Sequence, residues 1–356
     1  MSEQTKIAWC DSTINFWEGC TKVSPGCTHC YAEARDKRFT GGKLWGKGSP
    51  RRKSKSAVKD AMAFNRKPWI CDGCGAAYAS TIADGKFEVC DHCLQINGKS
   101  NLHRRRVFSL SLGDWLDEEV PIGWLAEMLD TIRQCDKVTW ILCSKRWQNF
   151  KERMAFTLIH LTGLPATPER WKFVDWIQAW VSGRNIPTNI IGLCSVENQE
   201  SADSRIPHFL TVPLVCHGLS LEPLLGPVEL NKWIYKDSCG CDENEPEAGD
   251  GFRCKHCKDT HAVAELDWLI IGGESGPHAR PCNVEWIRSL VDQGKVAGVP
   301  VFIKQLGAKP EGPKWSQAVR EMGNFGRLDW STMLDKKGGD PAEWPAELRI
   351  RQFPRL

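Results

Sequence analysis

A chain of 356 residues with 41% hydrophobic content can bury a large core, and no apolar run in it approaches the roughly 20 residues needed to span a bilayer, so no membrane partner is expected. Forty-seven basic against 44 acidic residues leave a net charge of only +3, which excludes a uniformly basic protein and points instead to local imbalance. The 17 cysteines are odd in number, with no signal peptide at the N-terminus, which argues against a disulfide framework and for a reducing, cytoplasmic setting.

In chain order, a first strand is predicted near Ile14 to Trp17. It leads into Gly19-Cys20-Thr21-Lys22-Val23-Ser24-Pro25-Gly26-Cys27-Thr28-His29-Cys30-Tyr31-Ala32-Glu33. Three thiolates on one short loop can hold three irons of a cubane cluster and leave a fourth iron open. The same residues can form a zinc knuckle completed by His29 or a distant ligand, so spacing alone leaves both readings standing.

From Arg35 to Lys67 twelve Lys and Arg residues face only Asp36 and Asp60, and His103-Arg104-Arg105-Arg106 follows. Such a run is either a solvated segment or a phosphate-binding surface. Most of the 17 tryptophans are expected in the core, with Trp45 and Trp69, beside basic residues, able to stack on bases. Cys71-x2-Cys74 and Cys90-x2-Cys93, fifteen residues apart, form a zinc-ribbon signature within an insertion at 68–100.

Further short apolar runs predict parallel strands at Arg106 to Leu112, Val138 to Cys143, Ile190 to Val196, Leu214 to Leu221, Trp268 to Ile271 and Val301 to Lys304. Helices are predicted at Ile122 to Gln134, Trp147 to Met154, Gln199 to Phe209 and Val284 to Gln293. This alternation predicts an α/β fold, a complete or partial TIM-like (β/α) barrel spanning 1–356 as one domain. The strand ends carry Asp114, Ser144, Ser195-Val196-Glu197-Asn198, Glu222, Gly272-Gly273-Glu274 and Lys304, and successive polar ends suggest a shared polar cavity. A second Cys-rich insertion, 233–262, holds Cys239-x-Cys241 and Cys254-x2-Cys257, a weaker zinc pattern because C-x-C bites more tightly. Cys10, Cys135, Cys143, Cys194, Cys216 and Cys282 have no ligand spacing, and Cys143, Cys194 and Cys216 are expected to be small buried apolar residues.

The chain resembles a phage-associated family, DUF5131, that looks like a branch of the radical S-adenosylmethionine (SAM) superfamily. The resemblance rests on the Cys20, Cys27 and Cys30 loop with Tyr31-Ala32-Glu33, on Ser195-Val196-Glu197-Asn198-Gln199, on Glu222-Pro223-Leu224-Leu225-Gly226-Pro227, on Gly272-Gly273-Glu274-Ser275-Gly276-Pro277 with Ala279-Arg280-Pro281, and on Phe302-Ile303-Lys304-Gln305. It implies a barrel of the radical SAM type with two small zinc-binding insertions. It also implies a [4Fe-4S] cluster on Cys20, Cys27 and Cys30, with SAM chelating the fourth iron. The C-x6-C-x2-C spacing departs from the C-x3-C-x2-C of most radical SAM enzymes, and His29 stands where an aromatic residue commonly precedes the last cluster cysteine.

From this resemblance, reductive cleavage of SAM by an electron from flavodoxin or ferredoxin is expected to give a 5′-deoxyadenosyl radical that takes hydrogen from an unactivated carbon. Glu197, Glu222, Glu274 and Lys304 are the candidate catalytic residues. His29, Asp114, Ser144, Ser195, Asn198, Gly272, Gly273 and Glu274 are candidates for holding the cofactor, the two glycines by close backbone approach. The expected substrate is a nucleobase in phage DNA or a modified nucleotide, for example an amino-acid-decorated thymidine whose N-linked glycyl unit becomes C-linked. DNA would be held by the 35–67 segment, in the host cytoplasm for a viral protein. A nucleic-acid repair or modification lyase is the enzymatic alternative, and a non-catalytic zinc-dependent nucleic-acid-binding protein is the alternative of another class.

Overall fold

Seven of the short apolar runs are buried along almost their whole length, and runs of three to six residues hidden on both faces suit parallel strands. The computed structural model describes residues 5–78, 102–234, 236–237, 262–263, 265–312 and 333–355. The strands are β1 (Ser12–Ile14), β2 (Arg106–Ser109), β3 (Thr139–Ser144), β4 (Ile190–Ser195), β5 (His217–Leu221), β6 (Trp268–Gly272) and β7 (Val301–Gln305). Their order in the sheet is their order in the chain. β1 pairs parallel with β2 (Ser12 opposite Val107), β2 with β3 (Arg106 opposite Thr139), β5 with β6 (Gly218 opposite Trp268) and β6 with β7 (Leu269 opposite Val301). Sequential order means that each connection steps in the same direction, as in a partial TIM-like (β/α) fold and unlike a doubly wound sheet, whose order reverses.

The chain divides into two compact units, Met1–Val23 with Cys30–Gly192 and Val212–Val215, and Ser24–His29 with Leu193–Thr211 and Cys216–Leu356. The first carries β1 to β3 and helices α1 (Tyr31–Thr40), α2 (Ala57–Arg66), α3 (Ile122–Gln134), α4 (Phe150–Thr162) and α5 (Pro168–Val181). Its core contains aromatic pairs at edge-to-face geometry, Trp115 with Trp147 and Phe150 with Trp180, each 5.4 Å between ring centres. The second carries β5 to β7, α6 (Gln199–Leu210) and α7 (Val284–Ala297). Asn198 starts α6 through a capping box with Ser201, and Asn283 caps α7, which ends at Gly298 with φ +69°.

Helices α3, α6 and α7 fall at the expected places, and the predicted start at Trp147 is a short 3-10 turn, Trp147–Asn149, that leads into α4. The first strand ends at Ile14, and Trp17–Glu18 pairs antiparallel with Arg52–Lys53 instead. Helices α1, α2 and α5 are additional to the expected set. α1 buries only Ala32 and Asp36, so it lacks the apolar period that marks a helix in sequence. Thr167 capping α5 ahead of Pro168 is a start signal that the sequence does contain.

The His103 to Arg106 cluster is largely tied down. Asp11 accepts hydrogen bonds from Arg106 and lies 2.9 Å from His103 Nε2, while Arg105 is buried, donates to Ser12 Oγ and lies over the Phe64 ring. Burial raises the Asp11 carboxyl, but His103 and Arg106 outweigh it and hold the pKa at about 2, below the ordinary 3.8. A depressed carboxyl contributes stability above its unfolded pKa and loses it as pH falls through the folded one. Asp11→Asn is therefore expected to be less stable than wild type at neutral pH in urea denaturation, with the gap closing between about pH 4 and 2. A gap that stays constant down to pH 2 would contradict this origin.

Cys10, Cys135, Cys194, Cys216 and Cys282 are buried, and Cys143, expected to be buried, is half-exposed. Burial pushes the Cys135 and Cys282 thiols up to about 12 and Cys216 higher still, which makes them poor nucleophiles at neutral pH. Cys90, Cys93, Cys239, Cys241, Cys254 and Cys257 lie outside the described residues. Among the described residues, no helix is long and apolar enough to cross a membrane.

Candidate functional site

In the first unit, Gly19 sits at φ +112°, and a Cβ there would meet the Leu44 carbonyl at 2.5 Å, so only glycine lets the chain pass into Cys20. Cys20 is half-buried, and Arg146, from the end of β3, donates to its Sγ at 3.5 Å, to the Thr21 carbonyl at 2.6 Å and to Asp114 at 2.9 Å. Asp114 also accepts from Ser144 Oγ (2.7 Å), Lys145 N (3.1 Å) and Leu116 N (3.0 Å). Asp114 and Ser144 therefore hold Arg146 in place, with their polar atoms occupied by the protein itself. Arg51, only 1% exposed along its side chain, pairs with Asp117 and Glu119 and donates to Thr21 Oγ1 at 2.8 Å. Burial pushes the Cys20 thiol up to about 12, with Arg146 opposing and Asp114 and Asp117 adding to the rise.

In the second unit, the stretch from Ser24 to His29 is bonded to side chains that follow β4 and β6. Gly26 N donates to Glu197 Oε1 at 3.4 Å, Arg280 donates to the Pro25 carbonyl at 2.9 Å, and His29 Nδ1 lies 3.1 Å from Glu274 Oε2. A Cβ on Gly26 would stand 3.0 Å from the Glu197 carboxyl carbon, so this glycine is a close-approach position. Glu197 is fully buried and held by Arg205 through two bonds of 2.7 and 3.2 Å. Glu274 accepts from Arg280 Nε (2.9 Å), Nη2 (2.6 Å) and backbone N (2.8 Å). Burial raises the Glu274 carboxyl, but Arg280 and His29 hold it at about 2. An ionised carboxylate only accepts, so the His29 hydrogen facing it is on Nδ1.

Glu222, after β5, accepts from Lys304 and from Gln305 Nε2 at 3.2 Å, both in β7. Asn198 is spent as the α6 cap, and the Ser195 carbonyl accepts from Arg205 at 2.7 Å. A Cβ on Gly273 would meet the Leu306 carbonyl at 2.3 Å, so that glycine accommodates the neighbouring backbone. A Cβ added at Gly272 would stand 3.4 Å from the Glu222 side chain. Arg51, Arg146, Arg205 and Arg280 carry both networks and are absent from the expected site residues. Arg146 lies in the run that ends β3 and Arg280 six residues after Glu274, and a cation in or just after a strand-end run is the signal that could have found them.

Among the described residues, no group of three His, Cys, Asp or Glu side chains stands close enough together to hold a metal ion. The residues of the loop fit a [4Fe-4S] group in donor chemistry. Cys20, Cys27 and Cys30 are half-buried thiols, Ser24 Oγ lies 3.8 Å from Cys27 Sγ, and Arg146 brings a buried positive charge to Cys20 while its Nε makes no hydrogen bond. A guanidinium donating to sulfur favours the thiolate that a metal needs. At Cys71, Gly73 N donates to Sγ at 3.3 Å and Gly75, at φ +72°, closes the turn through its bond to the Cys71 carbonyl, a knuckle suited to a thiolate ligand.

Residues 4–333 match a protein family described as of unknown function, DUF5131. No curated protein and no solved structure matches the chain.

Proposed function

The chain belongs to the DUF5131 family, and we propose that it is a radical SAM enzyme that modifies a nucleobase in DNA, with Cys20, Cys27 and Cys30 as ligands of a [4Fe-4S] cluster. The observation that carries this reading is the bonding of the stretch around Cys27 to Glu197, Glu274 and Arg280, side chains that follow β4 and β6. Groups at the C-terminal ends of parallel strands are where (β/α) folds place their chemistry. When bound, the cluster and SAM supply a radical able to take hydrogen from an unactivated carbon.

The protein's residues position and exclude. Arg146 opposes the burial that raises the Cys20 thiol, and Arg280 keeps Glu274 ionised so that it fixes the His29 ring. Glu222 and Lys304, both partly accessible, form the pair that can exchange partners with a substrate amine or carboxylate. Isomerisation of a glycyl-thymidine from an N-linked to a C-linked form is the reaction we favour, with a repair-type lyase as the enzymatic alternative. The Cys71 knuckle is the observation that favours a purely zinc-dependent nucleic-acid-binding protein. In either reading zinc at Cys71, Cys74, Cys90 and Cys93 staples the ribbon, and Cys239, Cys241, Cys254 and Cys257 are a second candidate set.

Anaerobic reconstitution of the full chain with iron and sulfide, followed by dithionite and SAM, tests the proposal. Visible iron–sulfur absorption with release of methionine and 5′-deoxyadenosine is the expected result. Zinc retained at all cysteine groups with SAM intact would overturn it. Mass spectrometry of nucleosides from DNA made with and without the protein identifies the base.

A further inference from the structure

Helix α1 starts directly after Cys30 and presents Tyr31, Arg35, Arg38 and Phe39, spaced four, seven and eight residues from the first, along one exposed stripe, with Ala32 and Asp36 buried along its edge. Tyr31 is 60% and Phe39 65% exposed, and the Tyr31 hydroxyl donates to the Ser111 carbonyl. The Arg35 and Arg38 guanidinium carbons lie 5.7 and 5.1 Å from the Phe39 ring centre. Beyond the helix, Asp36 accepts from Leu44 N at 3.0 Å, which pins the turn that carries exposed Lys43. A shallow depression beside Phe39 is lined by Glu18, Arg35, Asp36, Phe39, Trp45 and Leu112.

The charge of this region is not internally balanced. Arg35 and Arg52 pair with Glu18, Lys37 with Glu33, Lys53 with Glu127, and Arg51 with Asp117 and Glu119. Among the described residues, Arg38, Lys43, Lys47, Lys55, Lys59, Arg66 and Lys67 are exposed with no ion pair. Cations in excess beside solvent-exposed aromatic rings suit a polyanion that also offers flat π-faces. A duplex hides those faces in its stack, whereas a single strand presents them.

We propose that the α1 face of Tyr31, Arg35, Arg38 and Phe39, continued by Lys43 and Lys47, binds single-stranded nucleic acid, a base stacking on Phe39 while the phosphates run over the cations. This deepens the reading of the protein as a nucleic-acid-modifying enzyme, on which it rests, by giving the form in which the strand is held. An unstacked strand is also the form from which a base can reach a reactive centre.

The test is fluorescence anisotropy of a labelled thymidine oligonucleotide and of its duplex with the full-length protein, as a function of salt. Phe39→Ala is expected to weaken single-strand binding about tenfold with little change in salt slope, and Phe39→Trp to retain it. Lys43→Glu with Lys47→Glu is expected to weaken binding and to lower the log–log salt slope by roughly 0.7 for each phosphate no longer neutralised. Wild-type affinity in Phe39→Ala, or duplex bound as tightly as single strand, overturns the proposal. So does loss of flavodoxin binding in these variants with oligonucleotide binding intact, which would assign the face to the electron donor. SAM cleavage by reconstituted protein is scored separately, so a failed cluster and a failed strand-binding face give different results.

Discussion

Alanine at Cys20, Cys27 or Cys30 is expected to reduce 5′-deoxyadenosine formation to background, each by itself. Three thiolates are the full protein ligand set of an open-site cluster, and two leave it without a stable anchor. The three positions have different surroundings, since Cys20 takes a hydrogen bond from Arg146 while Cys27 has Ser24 as its neighbour. A merely structural contribution would therefore give unequal losses, and a ligand role gives equal ones. Cys71→Ala is the contrasting variant. It removes the sulfur that Gly73 N–H donates to, and its expected effect is lower soluble yield and lost zinc, with SAM cleavage per folded molecule retained. Iron–sulfur absorption and coproduct analysis on all four variants decide the matter. Full cleavage in any of the first three would end the cluster assignment.

The second large effect is expected at Glu197. Its carboxylate is fully buried, holds Arg205 at 2.7 and 3.2 Å and accepts from Gly26 N. Removing it in Glu197→Ala leaves a guanidinium in the core with only the Ser195 carbonyl as partner, which costs about 3–5 kcal/mol. Glu197→Gln keeps the shape and the acceptor and should cost less. Replacing both Glu197 and Arg205 by leucine should cost less than Glu197→Ala alone, because no uncompensated charge remains. Urea denaturation of the variants measures this. A Glu197→Ala protein within about 1 kcal/mol of wild type would show that the pair is not the anchor its burial indicates.

Much of this second network is legible in the sequence as separate pieces. Glu197, Glu274 and the glycine-containing cysteine loop each stand out as chemistry-bearing positions, yet their connection through Gly26, Pro25 and His29 does not. The twelve cations of the 35–67 run are alike as a string of letters. In the folded protein Arg51 is buried against Asp117, four others make surface ion pairs, and the rest project with no acidic partner among the described residues. Gly273 carries a second constraint that the letters do not show, since a Cβ there would meet the Leu306 carbonyl at 2.3 Å.

The first strand starts two residues earlier than its apolar run suggests, whereas the other six strands, the placement of α3, α6 and α7, the three-cysteine loop and the family are readable along the chain. Each of these depends on local spacing or on a continuous apolar run, which chain-neighbour chemistry expresses directly. Which arginine meets which carboxylate is set by the folded chain: Arg51 with Asp117, Arg146 with Asp114, Arg205 with Glu197 and Arg280 with Glu274. Ion pairing is set by distance in space and by shared burial, and residues separated along the chain reach those conditions only after the strands have been brought side by side.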